Sequence, residues 1–136
     1  MIKRATVEDV ARLIGINDTI IECFAGDRGE VIQFLCQCLE QENPNVAVWI
    51  NDDNGINAYI VAINNVQPPV ADYVFIPYAY CKAGSAIGTE IFRAVTEWAR
   101  ELGARAIQMA TKLPEHFARY GFKESEFKLM EFDLNG

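Results

Sequence analysis

The sequence predicts an α/β domain built on one mixed β-sheet with helices on both faces. Three observations carry this expectation. Two β-rich runs, Val46 to Ile50 and Ala58 to Ile63, flank the turn signal Asp52-Asp-Asn-Gly55, which makes a hairpin. After the small residues Gly84 to Gly88 the apolar period changes from two to 3.6. The long helix thus announced joins a strand at Ala71–Tyr78 to one at Arg105–Ala110, so the sheet becomes locally parallel, and such a crossover is expected to be right-handed.

Each element follows in order. Ile2 to Ala5 reads as a short strand. Thr6 is placed as a helix N-cap with Asp9 as the acidic half of a capping box, and Val10, Leu13 and Ile14 recur at helical spacing. Residues 17–24 read equally as a second helical piece or as a loop. Asp27 and Glu30 make another box-like start; Val31, Leu35, Cys38 and Leu39 follow on one face, and Asn43–Pro44 stops that helix. The hairpin comes next, and Pro68–Pro69 breaks the run after it. In the strand Ala71–Tyr78, Pro77 is expected at the end, where a missing backbone donor is tolerated.

The long helix, starting near Ala86, carries Ile87, Ile91, Val95, Trp98 and Leu102 as an apolar stripe, and Gly103 suits its C′ position. Arg105–Ala110 is the next strand. Pro114 opens a short helix to Tyr120, which Gly121 ends. Phe122 to Leu134 reads as one bent strand or two, with Met130, Phe132 and Leu134 alternating. The order is β-α-α-β-β-β-α-β-α-β(β), in a single domain spanning 1–136, with no repeat, low-complexity segment or linker.

Composition narrows the function. With 136 residues, 51% of them apolar and 23% charged, a packed core needs neither disulfides nor metals. The 12 Lys and Arg against 19 Asp and Glu give a net charge of −7, which repels a phosphate backbone, so nucleic acid is not an expected partner. The same field would favour a cationic substrate such as a primary amine, but acidity for solubility is the simpler account of it. Cys23, Cys36, Cys38 and Cys81 form no CxxC pair, and the single histidine, His116, stands apart from them in sequence, so no metal site is expected. Met1 to Arg4 has no signal-peptide pattern and no apolar run is long enough for a membrane span. A cytoplasmic protein with reduced thiols is expected.

One segment offers chemistry on its own residues. Ala83-Gly-Ser-Ala-Ile-Gly88 lies directly before the long helix. A helix N-terminus leaves backbone N–H groups unpaired, and these attract an anion. Small residues let the backbone approach a pyrophosphate closely. Thr89 adds a hydroxyl and Lys82 a cation. An ordinary strand-to-helix turn uses the same residues, so both readings stay open on this segment alone.

Taken together, the element order and four local strings resemble the GCN5-related N-acetyltransferase (GNAT) family over essentially the whole chain. Ile2-Lys-Arg-Ala-Thr-Val-Glu-Asp9 resembles its first strand and helix start; Phe75-Ile-Pro77 is similar to the end of its fourth strand. The loop Gly84–Gly88 with its amphipathic helix resembles the cofactor loop, and Tyr120-Gly-Phe122 the C-terminal motif. The resemblance implies an acyl-CoA-dependent N-acyltransferase that passes acetyl from acetyl-CoA, its cosubstrate, to an amine by direct attack. It implies Phe75 and Ile76 beside the pantetheine arm, and Lys82, Ala83, Gly84, Ser85, Ala86, Ile87, Gly88 and Thr89 around the pyrophosphate. Backbone N–H groups of the strand would stabilise the developing oxyanion. Direct attack needs no covalent enzyme intermediate, so Cys81 is not expected to act as a nucleophile. The fold often dimerises, and a homodimer is included among the expected partners.

The chain also departs from the family pattern. The family usually shows Arg or Gln, two residues, Gly, one residue, then Gly or Ala. Placing the last glycine at Gly88 puts Ala83 and Ala86 at the first two fixed positions; counting from Pro77 puts Tyr80 at the Arg or Gln position in a longer loop. Where members often carry a tyrosine acid, this chain has Phe117, which has no proton to give, and Ala110 stands for the usual asparagine. Tyr120 and His116 are the neighbouring candidates for the acid, each of which also reads as ordinary packing or a solvated helix residue. Asp72 stands at a position similar to that where the histone-modifying branch carries a glutamate base, from which it would act through a water; it reads equally as a strand-end residue facing solvent. The alternative reading is therefore a catalytically weak or inactive GNAT-fold module that binds CoA or regulates a partner.

Overall fold

The computed structural model describes residues 1–15, 21–22, 28–65, 72–81, 87–110, 114–126, 128 and 130–135. Strand β1 (Ile2–Arg4) leads into a 3₁₀ turn at Val7–Asp9 and then helix α1 (Val10–Gly15). The capping expectation holds in its acidic half: the Thr6 backbone N–H donates to Asp9 Oδ2 at 2.9 Å. Within the stretch that read equally as helix or loop, Ile21–Glu22 forms a short strand, β2; its other residues lie outside the described ones. Helix α2 runs over Arg28–Glu40.

The hairpin is formed by β3 (Val46–Asp52) and β4 (Ile56–Asn65). Its tip takes Asn54 at φ 57° and Gly55 at φ 136°, the second a conformation that a side chain would strain. Strand β5 (Tyr73–Cys81) follows, then helix α3 (Ile87–Glu101), strand β6 (Ala106–Gln108) and helix α4 (Pro114–Ala118). Gly103, at φ 78°, ends α3 as expected. Its N–H donates to Arg100 O and the Ala104 N–H to Ala99 O, both at 3.0 Å, which satisfies two otherwise orphaned carbonyls.

Among the described residues the sheet has six strands. β1, β3, β4 and β5 are antiparallel neighbours in that order, and the far edge of β5 is shared. β6 lies parallel to its first part, Tyr73 to Phe75, and β2 antiparallel to Tyr78 and Ala79. One face carries α3, with Ile91 and Val95 fully buried against Ile60, Val74 and Ile76, and Trp98 edge-on to Trp49 at 5.3 Å. The other face buries Leu13, Val48, Ile50, Tyr59 and Val61 beneath α1 and α2, with Phe34 against Tyr78 at 5.7 Å. Burying each aliphatic side chain of this size contributes about 1.5–3 kcal/mol. The predicted mixed sheet with helices on both faces is therefore the observed one.

Three expectations are corrected. Pro77 does not end its strand, which continues to Cys81. Ile63 pairs with Phe75 and Val61 with Tyr78, so Ala62 alone faces both Ile76 and Pro77, a β-bulge. A bulge accepts a residue without an N–H, and it shifts the alternation. Val74 and Ile76 face α3 before it; Ala79 and Cys81 do so after it. Second, the strand expected over 105–110 is shorter, 106–108, and the short helix ends at Ala118, with Tyr120 and Gly121 in the turn that follows. Third, none of the described residues from 122 on forms a strand. The alternation there encodes a strand face, but a strand forms only against a partner, and among the described residues none pairs with it.

Candidate functional site

The bulge is where the sheet opens. β6 leaves β5 after Phe75, and β2 takes up the same edge only from Tyr78. The stretch of edge between these partners is Ile76–Pro77, with a backbone N–H on Ile76 and none on Pro77. On the α3 face an apolar cleft of about 490 Å³, solvent-facing space included, extends from this point. Ile76, Ala79 and Cys81 of β5 form its floor, Gly88 and Phe92 of α3 one side, and Met109, Phe117, Tyr120 and Phe122 the other. Its aromatic wall is continuous: Phe122 lies 5.3 Å from Phe92 and 6.2 Å from Phe117, and Tyr120 is 6.1 Å from Phe92. Tilted and edge-on rings of this kind hold one another in place beyond their area burial.

The expected site residues divide between this cleft and elsewhere. Ile76 is buried in its floor, and Phe75 is the last β5 residue paired with β6. Gly88 is buried at the second position of α3 and faces the cleft; Thr89 beside it is exposed. Ile87 opens α3. Lys82, Ala83, Gly84, Ser85 and Ala86 lie outside the described residues. Tyr120 projects into the cleft, with its hydroxyl against Gly88, at the α3 N-terminus. His116 lies on α4 next to Phe117. Asp72 is elsewhere. It stands just before β5, exposed, at φ 76°, outside the residues that line the cleft, and its carbonyl accepts the Arg105 N–H at 2.6 Å.

The structure thus brings together Ile76, Gly88 and Tyr120 with Phe117. It adds Phe92, Met109, Phe122, Tyr80 and Cys81, which the sequence reading did not place there. Phe92 had a signal: it is four residues after Gly88 and so shares its face of the helix. Met109 had none, because its position depends on where β6 parts from β5. Among the described residues that line it, the cleft has two phenols, Tyr80 and Tyr120, and the Cys81 thiol as groups able to carry a proton; Phe117 carries none. Among the described residues no group of three His, Cys, Asp or Glu side chains is arranged to hold a metal ion.

No protein-family model matches the sequence, and a search of curated proteins finds no relative. Solved structures do match. A probable acetyltransferase superposes with a TM-score of 0.76 at 15% identity, covering 98% of each chain. The aminoglycoside acetyltransferase AAC(6')-Iy, in complex with the bisubstrate analogue CoA-S-monomethyl-acetylneamine, gives 0.75 at 14% identity, over 98% of this chain and 97% of that one. A predicted acetyltransferase with acetyl-CoA from Clostridium acetobutylicum gives 0.73 at 19%, over 99% and 96%. At such identities the likeness speaks for the fold alone, and that fold, from β1 through the bulged β5 to α4, is the GCN5-related N-acetyltransferase fold.

Proposed function

We propose that the chain is an acyl-CoA-dependent N-acyltransferase that transfers acetyl from acetyl-CoA to an amine. The observation that carries this reading is the parting of β5 and β6 at Ile76–Pro77, over an apolar cleft that runs to the N-terminus of α3 at Gly88. An apolar channel of this kind suits a pantetheine arm, and a helix start with a glycine in its first turn suits a pyrophosphate.

In this mechanism the amine nitrogen attacks the thioester carbonyl at the bulge. Backbone donors of β5 stabilise the oxyanion that forms as the C–N bond is made. The C–S bond then breaks, the thiolate leaves, and the proton lost by the amine goes to water, with Asp72 as the candidate base acting through it. Tyr120 and His116 are the candidate donors to the thiolate. Holding the two reactants together supplies much of the acceleration, so the reaction does not stand or fall with one acid. Structural neighbours include enzymes named for aminoglycosides, and the net charge of −7 favours an amine-bearing acceptor. No helix among the described residues is long and apolar enough to cross a membrane, and we place the protein in the cytoplasm, as a homodimer.

Calorimetric titration with acetyl-CoA and with CoA, followed by thiol release in the presence of a panel of primary amines, tests the proposal. Binding of both with turnover of at least one amine is expected. Absence of CoA binding by the folded protein would refute it. Phe117 favours a second reading, a CoA-binding module without turnover, for which binding with no thiol release is the expected result. In the transferase reading Asp72→Asn lowers turnover at neutral pH, and the loss shrinks as rising pH supplies free amine.

A further inference from the structure

The geometry points to Tyr120 as a plug in the cleft: its phenol fills the end at the start of α3, and the arm of CoA enters when the ring turns out. The inference rests on the transferase reading for the identity of the arm, and it adds what controls entry.

The phenol spans the cleft. Tyr120 belongs to the wall that follows α4, yet its hydroxyl oxygen lies 2.5 Å from where a β-carbon on Gly88 of α3 would stand, and its Cζ 3.3 Å from that point. Glycine is disfavoured inside a helix, and here its missing side chain makes the room that the ring uses. Ile76 at the bulge and Gly88 at the helix start both line the cleft. A chain laid from one to the other therefore meets the ring.

The surroundings allow the ring to move while the backbone stays. The Tyr120 N–H donates to Phe117 O at 3.0 Å and the Gly121 N–H to Ala118 O at 3.1 Å, with Gly121 at φ 92°. These bonds fix the turn, so motion is confined to the side chain. Tyr120 is half-buried, and a change of χ1 rotamer carries its ring toward solvent without disturbing α4. Phe117, buried in the same wall, has no such exit.

The ring contact with Phe92, at 6.1 Å, and the seat on Gly88 favour the inward position. The arm then binds only the fraction of chains whose ring is out, and its apparent affinity falls by that fraction.

Stopped-flow association and calorimetry with CoA, on the wild type, Tyr120→Leu and Tyr120→Phe, test this. Leucine is too short to span the cleft and keeps its wall apolar; phenylalanine keeps the ring and so keeps the plug. Tyr120→Leu should bind CoA about threefold or more tighter than wild type, through faster association with dissociation little changed. Tyr120→Phe should stay within about twofold of wild type. In the wild type, saturating acetyl-CoA, which has no free thiol, should speed nitration of Tyr120 read by peptide mass, because the expelled phenol faces solvent. Binding of CoA by Tyr120→Leu no tighter than by wild type, or slower nitration with acetyl-CoA, would overturn the plug. The phenol would then be a contact of the bound arm, and the transferase reading would stand. If the folded wild type and the folded Tyr120→Leu both fail to bind CoA, the plug and the transferase reading fall together.

Discussion

Gly88 and Tyr120 exclude each other's growth. A β-carbon on Gly88 would stand 2.5 Å from the Tyr120 hydroxyl oxygen and 3.3 Å from its Cζ. The sequence offers one reason for a glycine here, the close approach of an anion to a helix start; the structure supplies another, a phenol laid across the first turn of α3. The two reasons converge, since a hydroxyl at that place is also a hydrogen-bonding group for whatever occupies the cleft.

The consequence is a measurable coupling. Alanine is favoured over glycine in a helix by about 1 kcal/mol, yet overpacking costs about 1–3 kcal/mol. Gly88→Ala should therefore destabilise the protein in urea unfolding. In a Tyr120→Leu background the same substitution should be neutral or stabilising, a coupling of about 1 kcal/mol or more. Equal effects in both backgrounds would mean the two residues do not touch.

A second pair governs acid stability. Arg12 holds the Asp52 carboxylate with two bonds, Nη1 to Oδ2 at 2.7 Å and Nη2 to Oδ1 at 2.6 Å. This hydrogen bonding holds the Asp52 pKa at about 2, against an ordinary 3.8. The folded value lies below the unfolded one, so the stabilisation is complete above the unfolded value and is lost as pH falls through about 2. Asp52→Asn should thus lower stability at pH 7, and its deficit against wild type should narrow below pH 4 and nearly close at pH 2. A deficit independent of pH would contradict the assignment.

The cysteines separate by environment. Burial pushes the Cys38 thiol up to about 11, so at neutral pH it holds its proton and reacts slowly. Cys81 lines the cleft where the pantetheine arm is proposed to lie. Timed alkylation at pH 7.5, read by peptide mass, should leave Cys38 little modified, and CoA should slow modification of Cys81 selectively. Labelling of Cys81 that saturating CoA does not change would move the arm out of this cleft.

How far the sequence reached can be judged on particular residues. The hairpin at Asn54–Gly55, the α3 stripe of Ile91 and Val95 and the stop at Gly103 were legible because each depends on local conformation and periodicity. The bulge was not. Pro77 marks a missing donor, but whether a strand ends or bulges there is decided by β4, where Ala62 faces two residues. The pairing of Ile21–Glu22 with β5 was hidden for the same reason, as two residues carry no period. Within the site, Gly88 and Ile76 could be read from the motif. Met109 and the contact between Gly88 and Tyr120 arise only once α3, α4 and the diverging strands are packed together.

Position 117 carries a phenylalanine where an acid would serve the proposed reaction. Phe117 is 8% exposed, lines the cleft and meets Phe122 edge-on at 81°. In the proposed reaction this is the position from which an acid would meet the leaving thiolate, and phenylalanine has no proton to give. General acid catalysis is worth about 10²–10⁴-fold, and less where the leaving group is already as good as a thiolate. Phe117→Tyr adds one oxygen at the edge of an open cleft, so its cost in stability should stay below about 1.5 kcal/mol. We expect it to raise kcat by about tenfold or more, up to the range for an added acid, with KM for acetyl-CoA little changed and a new decline in rate at high pH as the phenol ionises. The rival donor is Tyr120, whose hydroxyl lies by Gly88. If Tyr120→Phe lowers kcat strongly while CoA binding is retained, and Phe117→Tyr gives no gain, the proton comes from Tyr120. If Phe117→Tyr alone raises kcat and gains the alkaline limb, the chain works without a dedicated acid, and position 117 is where that acid can be restored.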